Sequence, residues 1–563
     1  MVWSTRCDYG RTGLSAEDVL LSDGGTAPER GLPQPEHLHA GGDEDLANFP
    51  YDLYTWWLLR RRSGSRYNGF TLAQHGVVVV TFNYRLGVLG FLTTGDQSLP
   101  GNYGLMDQIE VLRWVSENIA KFGGDSCSVT LFGSSAGSAS AGLLMLSPMS
   151  RGLFHRVILQ SGSPLSFWAV YRPEADHRKF FDDVSDMVGC PDDSTDDRIE
   201  CLRKVHYSNF THYPWEQPDC SNNVDLEIKR LLDNFNTFPN LVPSKLNFKP
   251  RVDGDIVPSD PRRMYTSALY QNVTVMIGNL KDEWARSMGW FFNDLDTVDA
   301  DLSDGFERES FERSIHHVIR TRFSWSREVA DAAVFMYTDW TNVTDPYVNR
   351  EGYKDLMSDF VMTAPSVDLA DILAEKGTTV YYYYYNHQSI FTDPPWWKCY
   401  HSLELDSVFG SPFTGYNIAV DDQRNHTKED KEISRISMLL WTNFAKYGNP
   451  TKDPVRGVTW RHMDSAQNNY LHITPERIAM RSFLRAEKMA FWNKLVPSLR
   501  GVQTMFEVDS SQAKPADRNL TLMWFFGILS VLSFSVTLAL VVRNGKLQKK
   551  LAKLMATSSM NAV

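Results

Sequence analysis

The chain is 563 residues long, 42% hydrophobic, 22% charged and 12% aromatic, with a formal net charge of −11. Those proportions are ordinary for a globular protein, and the length suits one large, elaborated α/β domain. An acidic globule without a basic–aromatic stripe excludes a nucleic-acid binder.

Residues 1–66 read as irregular. Arg6, Asp8, Arg11, Glu17 and Asp18 interrupt any apolar leader in Met1–Leu20, Gly24–Glu44 is rich in Gly, Pro and charge, and Asp52–Arg62 ends in three arginines. No strand is expected there to pair with the next segment. Gly76–Asn83 is a continuous apolar run bounded by turn residues, the pattern of a strand buried on both faces. Met106–Ala120 has apolar residues at 106, 109, 112, 115 and 119, which predicts a helix.

Ser128–Phe132 predicts a strand, a run of small residues after it a helix, and Arg156–Gln160 a further strand. Strands are also expected at Val273–Ile277 and Thr379–Tyr385, with a helix around Ile433–Lys446. Alternating strands and helices argue for an α/β fold, a mostly parallel sheet covered on both sides. The globular domain is bounded at 67–499.

A polar linker at 500–519 precedes 520–542, which hold 23 residues without a charge. As a helix that segment is roughly 35 Å long, enough to cross a bilayer. The tail 543–563 carries Arg543, Lys546, Lys549, Lys550 and Lys553 and no acid. The positive-inside rule therefore predicts a single-pass anchor with a basic cytosolic tail and the large N-terminal part outside the cell. That orientation normally needs a signal peptide, so either the natural start lies upstream of Met1, which is the expectation, or the anchor inserts some other way. The C-terminal Val563 lacks a Ser or Thr two residues before it and reads as a plain terminus.

Six cysteines match no zinc spacing, and no metal site is expected. Cys190 and Cys201 flank a polar loop that a disulfide could close. Sequons at Asn209, Asn272, Asn342 and Asn425 suit an extracellular surface, whereas Asn519 abuts the expected membrane.

Gly133-Ser-Ser135-Ala-Gly137 is a G-x-S-x-G motif between a predicted strand and helix. That is the context of a nucleophile elbow, where a tight turn projects a serine from a strand end and its neighbours must be small. Ser135 is the candidate nucleophile.

These residues resemble the type-B carboxylesterase/cholinesterase family, an α/β-hydrolase group, over about Tyr67–Leu499. The specific stretches include Thr81–Phe91, Gly101–Gln108, Phe122–Asp125, Ser161–Pro164 and Trp441–Pro450. The resemblance implies a triad in the order nucleophile, acid, histidine. Gly278–Glu283 supplies Glu283 as the orienting acid, and His401–Gly410 supplies His401 as the base. His401 would take the proton of Ser135 as it attacks an acyl carbonyl, and an acyl-enzyme would follow, with no metal or cofactor. The resemblance further implies Ala136 as an oxyanion donor, Phe248 in an acyl pocket, a Cys190–Cys201 disulfide, and a homodimer built on helices near Ile433–Lys446 and Met489–Val496.

The departures are specific. The family's His-Gly-Gly oxyanion loop has its nearest counterpart in His39-Ala-Gly-Gly42, which has an altered second residue and too long a spacer. The glycine that usually follows the family histidine is Ser402, the one after the acid is Trp284, and an aromatic of the choline site is Arg286. An arginine repels a quaternary ammonium, which argues against acetylcholine as substrate. Two classes of function remain. One is a membrane-anchored ester hydrolase acting on a small ester. The other is an adhesion ectodomain with an extracellular protein partner, as in the neuroligin/gliotactin branch, which Phe335–Trp340, Lys488–Trp492 and the anchor resemble.

Overall fold

The computed structural model describes residues 2–6 and, with short breaks, 67–499, omitting among others 213–247 and 292–301. Eight strands form one sheet: β1 (Val2–Arg6), β2 (Val77–Val80), β3 (Gly124–Ser134), β4 (Arg156–Gln160), β5 (Thr274–Leu280), β6 (Val380–Tyr385), β7 (Asn469–Ile473) and β8 (Ile478–Ser482). Their spatial order is β8-β7-β6-β5-β4-β3-β1-β2. Strands β3 to β7 run parallel, and β8 is antiparallel to β7. The helices that matter for the site are α1 (Tyr103–Asn118), α2 (Ala136–Leu146), α3 (His177–Met187), α4 (Thr195–Lys204), α5 (Pro346–Ser358) and α6 (Lys428–Tyr447).

The central strands are buried on both faces, which is why they read as apolar or aromatic runs rather than alternating ones. Phe132 lies beside Ile158, Ile158 beside Met276, and Met276 beside Tyr381. This face packs in one cluster with Ile436, Leu440, Trp441 and Phe444 of α6. The intervening residues Leu131, Val157 and Val275 point to the other face, where α2 contacts β3 and β4. All six residues of β6, five of them tyrosines, are buried.

The helix predicted at Met106–Ala120 forms as α1. Of the expected apolar positions, Ile109, Leu112, Val115 and Ile119 are buried, while Leu105 takes the place of Met106, which is 36% exposed. Helix α6 is closed at its start by a reciprocal cap: Thr427 N–H donates to Asp430 Oδ2 and Asp430 N–H to Thr427 Oγ1, both at 3.0 Å. It stops at Gly448, where φ is +66°. The apolar side of α6 lies in the core of this chain. Met489, Phe491 and Trp492 are buried as well.

Strand β1 is the main departure from the sequence pattern. Residues 1–66 give no sign of a strand, yet Val2–Arg6 inserts between β2 and β3, antiparallel to both. Five residues carry too little periodicity to be recognised, and their neighbours in the sheet supply the order. Val2 pairs with Leu131 and Arg6 with Gly124. The chain therefore leaves β1 at the edge of the sheet opposite the one where β3 ends.

The chain divides after Val496, and residues 497–499 are all that is described of the second unit. The predicted linker, span and tail at 500–563, His39–Gly42, Asn425 and Asn519 lie outside the described residues. No helix among the described residues is long and apolar enough to cross a membrane.

Candidate active site

The parallel strands share one register line, Ser134–Gln160–Gly278–Tyr383, so their C-terminal ends form a common edge. In open α/β sheets ligand sites gather at that edge. Ser135 is the first residue past β3, at φ 58° and ψ −123°, a conformation disfavoured for any residue with a Cβ. Its N–H donates to Gln160 O at 2.8 Å, and its carbonyl accepts from Ala139 N–H at 3.0 Å inside α2. Small neighbours make the turn possible. A Cβ on Gly133 would lie 2.2 Å from Gly137 O, and one on Gly162 would lie 2.4 Å from Ser135 O. Ala136 is fully buried as the first residue of α2, where the helix presents N–H groups and the positive end of its dipole.

Glu283 follows β5 and is completely buried. Its Oε1 accepts from Leu280 N–H at 2.9 Å and Asn279 Nδ2 at 3.2 Å, and Asn279 is itself held by the Tyr382 hydroxyl at 2.6 Å. The other oxygen, Oε2, lies 2.7 Å from His401 Nδ1. A carboxylate can only accept, so the Nδ1 proton points at Glu283 and neutral His401 carries its lone pair on Nε2. That nitrogen is buried with no hydrogen-bond partner, so no hydrogen bond joins it to Ser135 Oγ. The structure thus brings Glu283 and His401 together and sets Ser135 on the same sheet edge without completing the link.

Strain surrounds the histidine. Lys398 has φ 49°, and Ser402, where the family usually has glycine, has φ 69°. Arg286 stacks over Trp397 and Tyr400, with the guanidinium carbon 5.5 and 5.7 Å from the ring centres. A cation is therefore fixed against the aromatic residues that lead into His401.

Sequence reasoning missed two groups. Glu404, three residues past His401, is buried, with Oε1 accepting from Gln160 Nε2 at 2.9 Å and Oε2 unpartnered. Burial first, then the negative charge of Glu283, raises its pKa to about 8. Lys354 on α5 is the second. Glu404 lies within the matched histidine motif, whereas Lys354 is marked only by its place on the buried side of its helix. Ser134 Oγ and Ser161 Oγ are also buried without partners, on adjacent strand ends.

The remaining expected residues divide by position. Cys190 and Cys201 form a disulfide that links the end of α3 to α4. Phe248 packs on the cluster of Leu92, Phe181, Val184, Cys190, Ile199 and Leu202, which contains none of the candidate catalytic residues. Arg251, a charge near Phe248 in sequence, donates to the carbonyls of Gly95 at 2.7 Å and Pro100 at 3.0 Å. Asn209, Asn272 and Asn342 are exposed.

A family model described as the carboxylesterase family matches residues 59–492. Mouse neuroligin-3 is 35% identical over 475 residues, covering 80% of this chain and 52% of that protein. Human neuroligin-2 is 34% identical over 476 residues, covering 80% and 52%. Acetylcholinesterase of Bungarus fasciatus is 32% identical over 452 residues, covering 80% and 69%. The chain spans about half the length of the neuroligins it matches. With a Ser135 elbow at the sheet edge and a Glu283–His401 pair beside it, the chain belongs to the type-B carboxylesterase/cholinesterase family, on its neuroligin-like branch.

Proposed function

We propose that this chain is a single-pass adhesion protein of the neuroligin type, its folded domain outside the cell, bound by an extracellular protein and weak or inactive as a hydrolase. The likeness to neuroligins over 80% of the chain carries the reading. Two features of the site support it. The strand beside the elbow strand runs antiparallel to it, so the segment leaving β1 starts from the sheet edge opposite Ser135. An oxyanion loop that follows that strand directly would begin on the wrong side, and losing one oxyanion donor lowers rates by about 10²–10³. In addition, His401 Nε2 makes no hydrogen bond. The expected span at 520–542 and its basic tail fit the same reading.

The 2.7 Å Glu283–His401 contact and the strained Ser135 favour a second reading, a membrane-anchored ester hydrolase. In that reading His401 Nε2 removes the Ser135 proton, Glu283 stabilises the imidazolium, and the Ala136 N–H faces the oxyanion. Free enzymes often hold such pairs loosely, so an unmade Ser–His bond alone does not dismiss it.

The test displays the full chain on cultured cells and treats it with a fluorophosphonate probe, beside an active family esterase. The adhesion reading expects little or no labelling, and adhesion to partner-bearing cells that survives Ser135→Ala. Rapid stoichiometric labelling that Ser135→Ala abolishes would overturn it in favour of the hydrolase.

A further inference from the structure

Glu283 and His401 both hang from short loops, and one buried cation touches the supports of both. The side chain of Lys354, on α5, is 0% exposed. Its Nζ lies 2.8 Å from Asp282 Oδ1 and 2.7 Å from Glu351 Oε2. Asp282 immediately precedes Glu283. Its Oδ2 accepts from Cys399 N–H at 3.3 Å, and its own N–H donates to Cys399 O at 3.1 Å. Cys399 stands two residues before His401. Glu351 Oε2 also accepts from Lys398 Nζ at 2.6 Å. Lys354 therefore reaches the Glu283 loop through Asp282, and the His401 loop through both Asp282 and the Glu351–Lys398 pair.

Burial opposes the charge of Lys354, but the Asp282 and Glu351 carboxylates outweigh it and hold the ammonium above its ordinary range. Burial likewise opposes the charge of Glu351, and hydrogen bonds from Lys354 and Lys398 overcome it. Such clusters add little net stability, because desolvation offsets attraction. What they fix is geometry. Here the fixed geometry belongs to two backbone segments, one of which keeps Lys398 at a positive φ.

We propose that Lys354 is the positioning residue of the Glu283–His401 pair. Its ammonium, bridging Asp282 and Glu351, sets the register of the two loops and so keeps Glu283 Oε2 within hydrogen-bonding distance of His401 Nδ1. A flexible loop pair would hold that contact only part of the time. The inference concerns the pair itself and is independent of both ester turnover and partner binding.

The test measures the rate of carbethoxylation of His401 by diethylpyrocarbonate at one pH, read by peptide mass on the full chain. Lys354→Met is compared with Lys354→Arg and the parent. In the parent the His401 side chain is 10% exposed and held by Glu283, so loosening the two loops in Lys354→Met should raise the rate about tenfold. Lys354→Arg, which keeps the cation, should restore the parental rate. If Lys354→Met does not fold, Lys354→Met combined with Asp282→Asn removes both charges, and the same rise is expected. A folded variant that keeps the parental rate, whatever its melting temperature, would show a structural ion cluster and overturn the proposal. Because the readout needs neither a reactive Ser135 nor a partner, it stands whichever way the fluorophosphonate experiment falls.

Discussion

Gln160 Nε2 donates to Glu404 Oε1 at 2.9 Å, while Gln160 Oε1 accepts from Trp441 Nε1 at 3.1 Å. One amide at the end of β4 thus ties a buried carboxyl to the indole at the centre of the core. With its pKa at about 8, Glu404 is a neutral acid at physiological pH.

A pH dependence follows from Glu404. The folded chain keeps its proton up to about pH 8, whereas the unfolded chain releases it near pH 4.3. Between those values the folded state binds more protons, so the stability tied to this group is full below about pH 4 and declines as pH rises toward 8. Glu404→Gln keeps the neutral form throughout. It should match the parent at acidic pH and exceed it by on the order of a few kcal/mol above pH 8. Denaturant midpoints at acidic, neutral and alkaline pH check this, and parallel pH profiles would refute it.

The elbow predicts an inverted order of stability. At φ 58° and ψ −123°, Ser135 holds a Cβ where none is welcome, and such strain costs about 1–3 kcal/mol. Ser135→Gly should therefore be more stable than Ser135→Ala by about 1 kcal/mol, although glycine gives up more entropy on folding. Gly162→Ala should do the opposite and lose about 1–3 kcal/mol, because its Cβ would sit 2.4 Å from the Ser135 carbonyl. Urea unfolding of the three variants reads both effects.

Ser402 extends the same physics to the histidine. At φ 69° it occupies the left-handed region beside His401. Left-handed backbone costs an ordinary residue about 1–2 kcal/mol, and the gain for glycine is reduced by its looser unfolded chain. Ser402→Gly should raise stability by roughly 0.5–1 kcal/mol. A drop in melting temperature would mean that the Ser402 side chain holds the loop.

The disulfide lies over its own small core. Cys190 and Cys201, eleven residues apart, cross-link α3 and α4, and Cys190 packs with Phe181, Val184, Ile199 and Leu202. Replacing both cysteines with alanine should cost about 2–4 kcal/mol, chiefly by releasing the unfolded chain. Thermal denaturation of the double variant checks it. If packing of Phe248 is its main role, Phe248→Ala should lower stability without altering reactivity at Ser135.

The legible parts of this chain were those where one segment carries its own signal. The strand runs at 156–160 and 379–385 form close to their expected bounds, because a strand buried on both faces must be apolar or aromatic throughout. The run at 76–83 forms a strand only over Val77–Val80, at the sheet edge, with Val79 and Val80 partly exposed. The Ser135 elbow was legible because a strained turn demands small neighbours in a row. Glu283 and His401 came from resemblance to a family motif, since a lone carboxylate or histidine carries no local mark. Lys354 and Glu404 were missed for a related reason. A buried charge is defined by its partners, and Asp282 and Gln160 are distant from them in sequence.

Strand β1 gives the sharpest test of the sheet. Ser4 pairs with Val78 on one side and Val129 on the other, so it sits in the middle of a strand with neighbours on both edges. Proline at such a position removes a donor from the ladder and clashes with the adjoining strand, a loss of about 3 kcal/mol or more. Ser4→Pro should therefore destabilise the whole domain, and amide exchange should quicken in both β2 and β3, whose facing edges would lose their pairing. Exchange that quickens in β2 alone would mean that β3 does not depend on β1. Unchanged exchange in both strands would mean that Val2–Arg6 does not hold the sheet, and the argument from its direction against an oxyanion loop at Ser135 would fall with it.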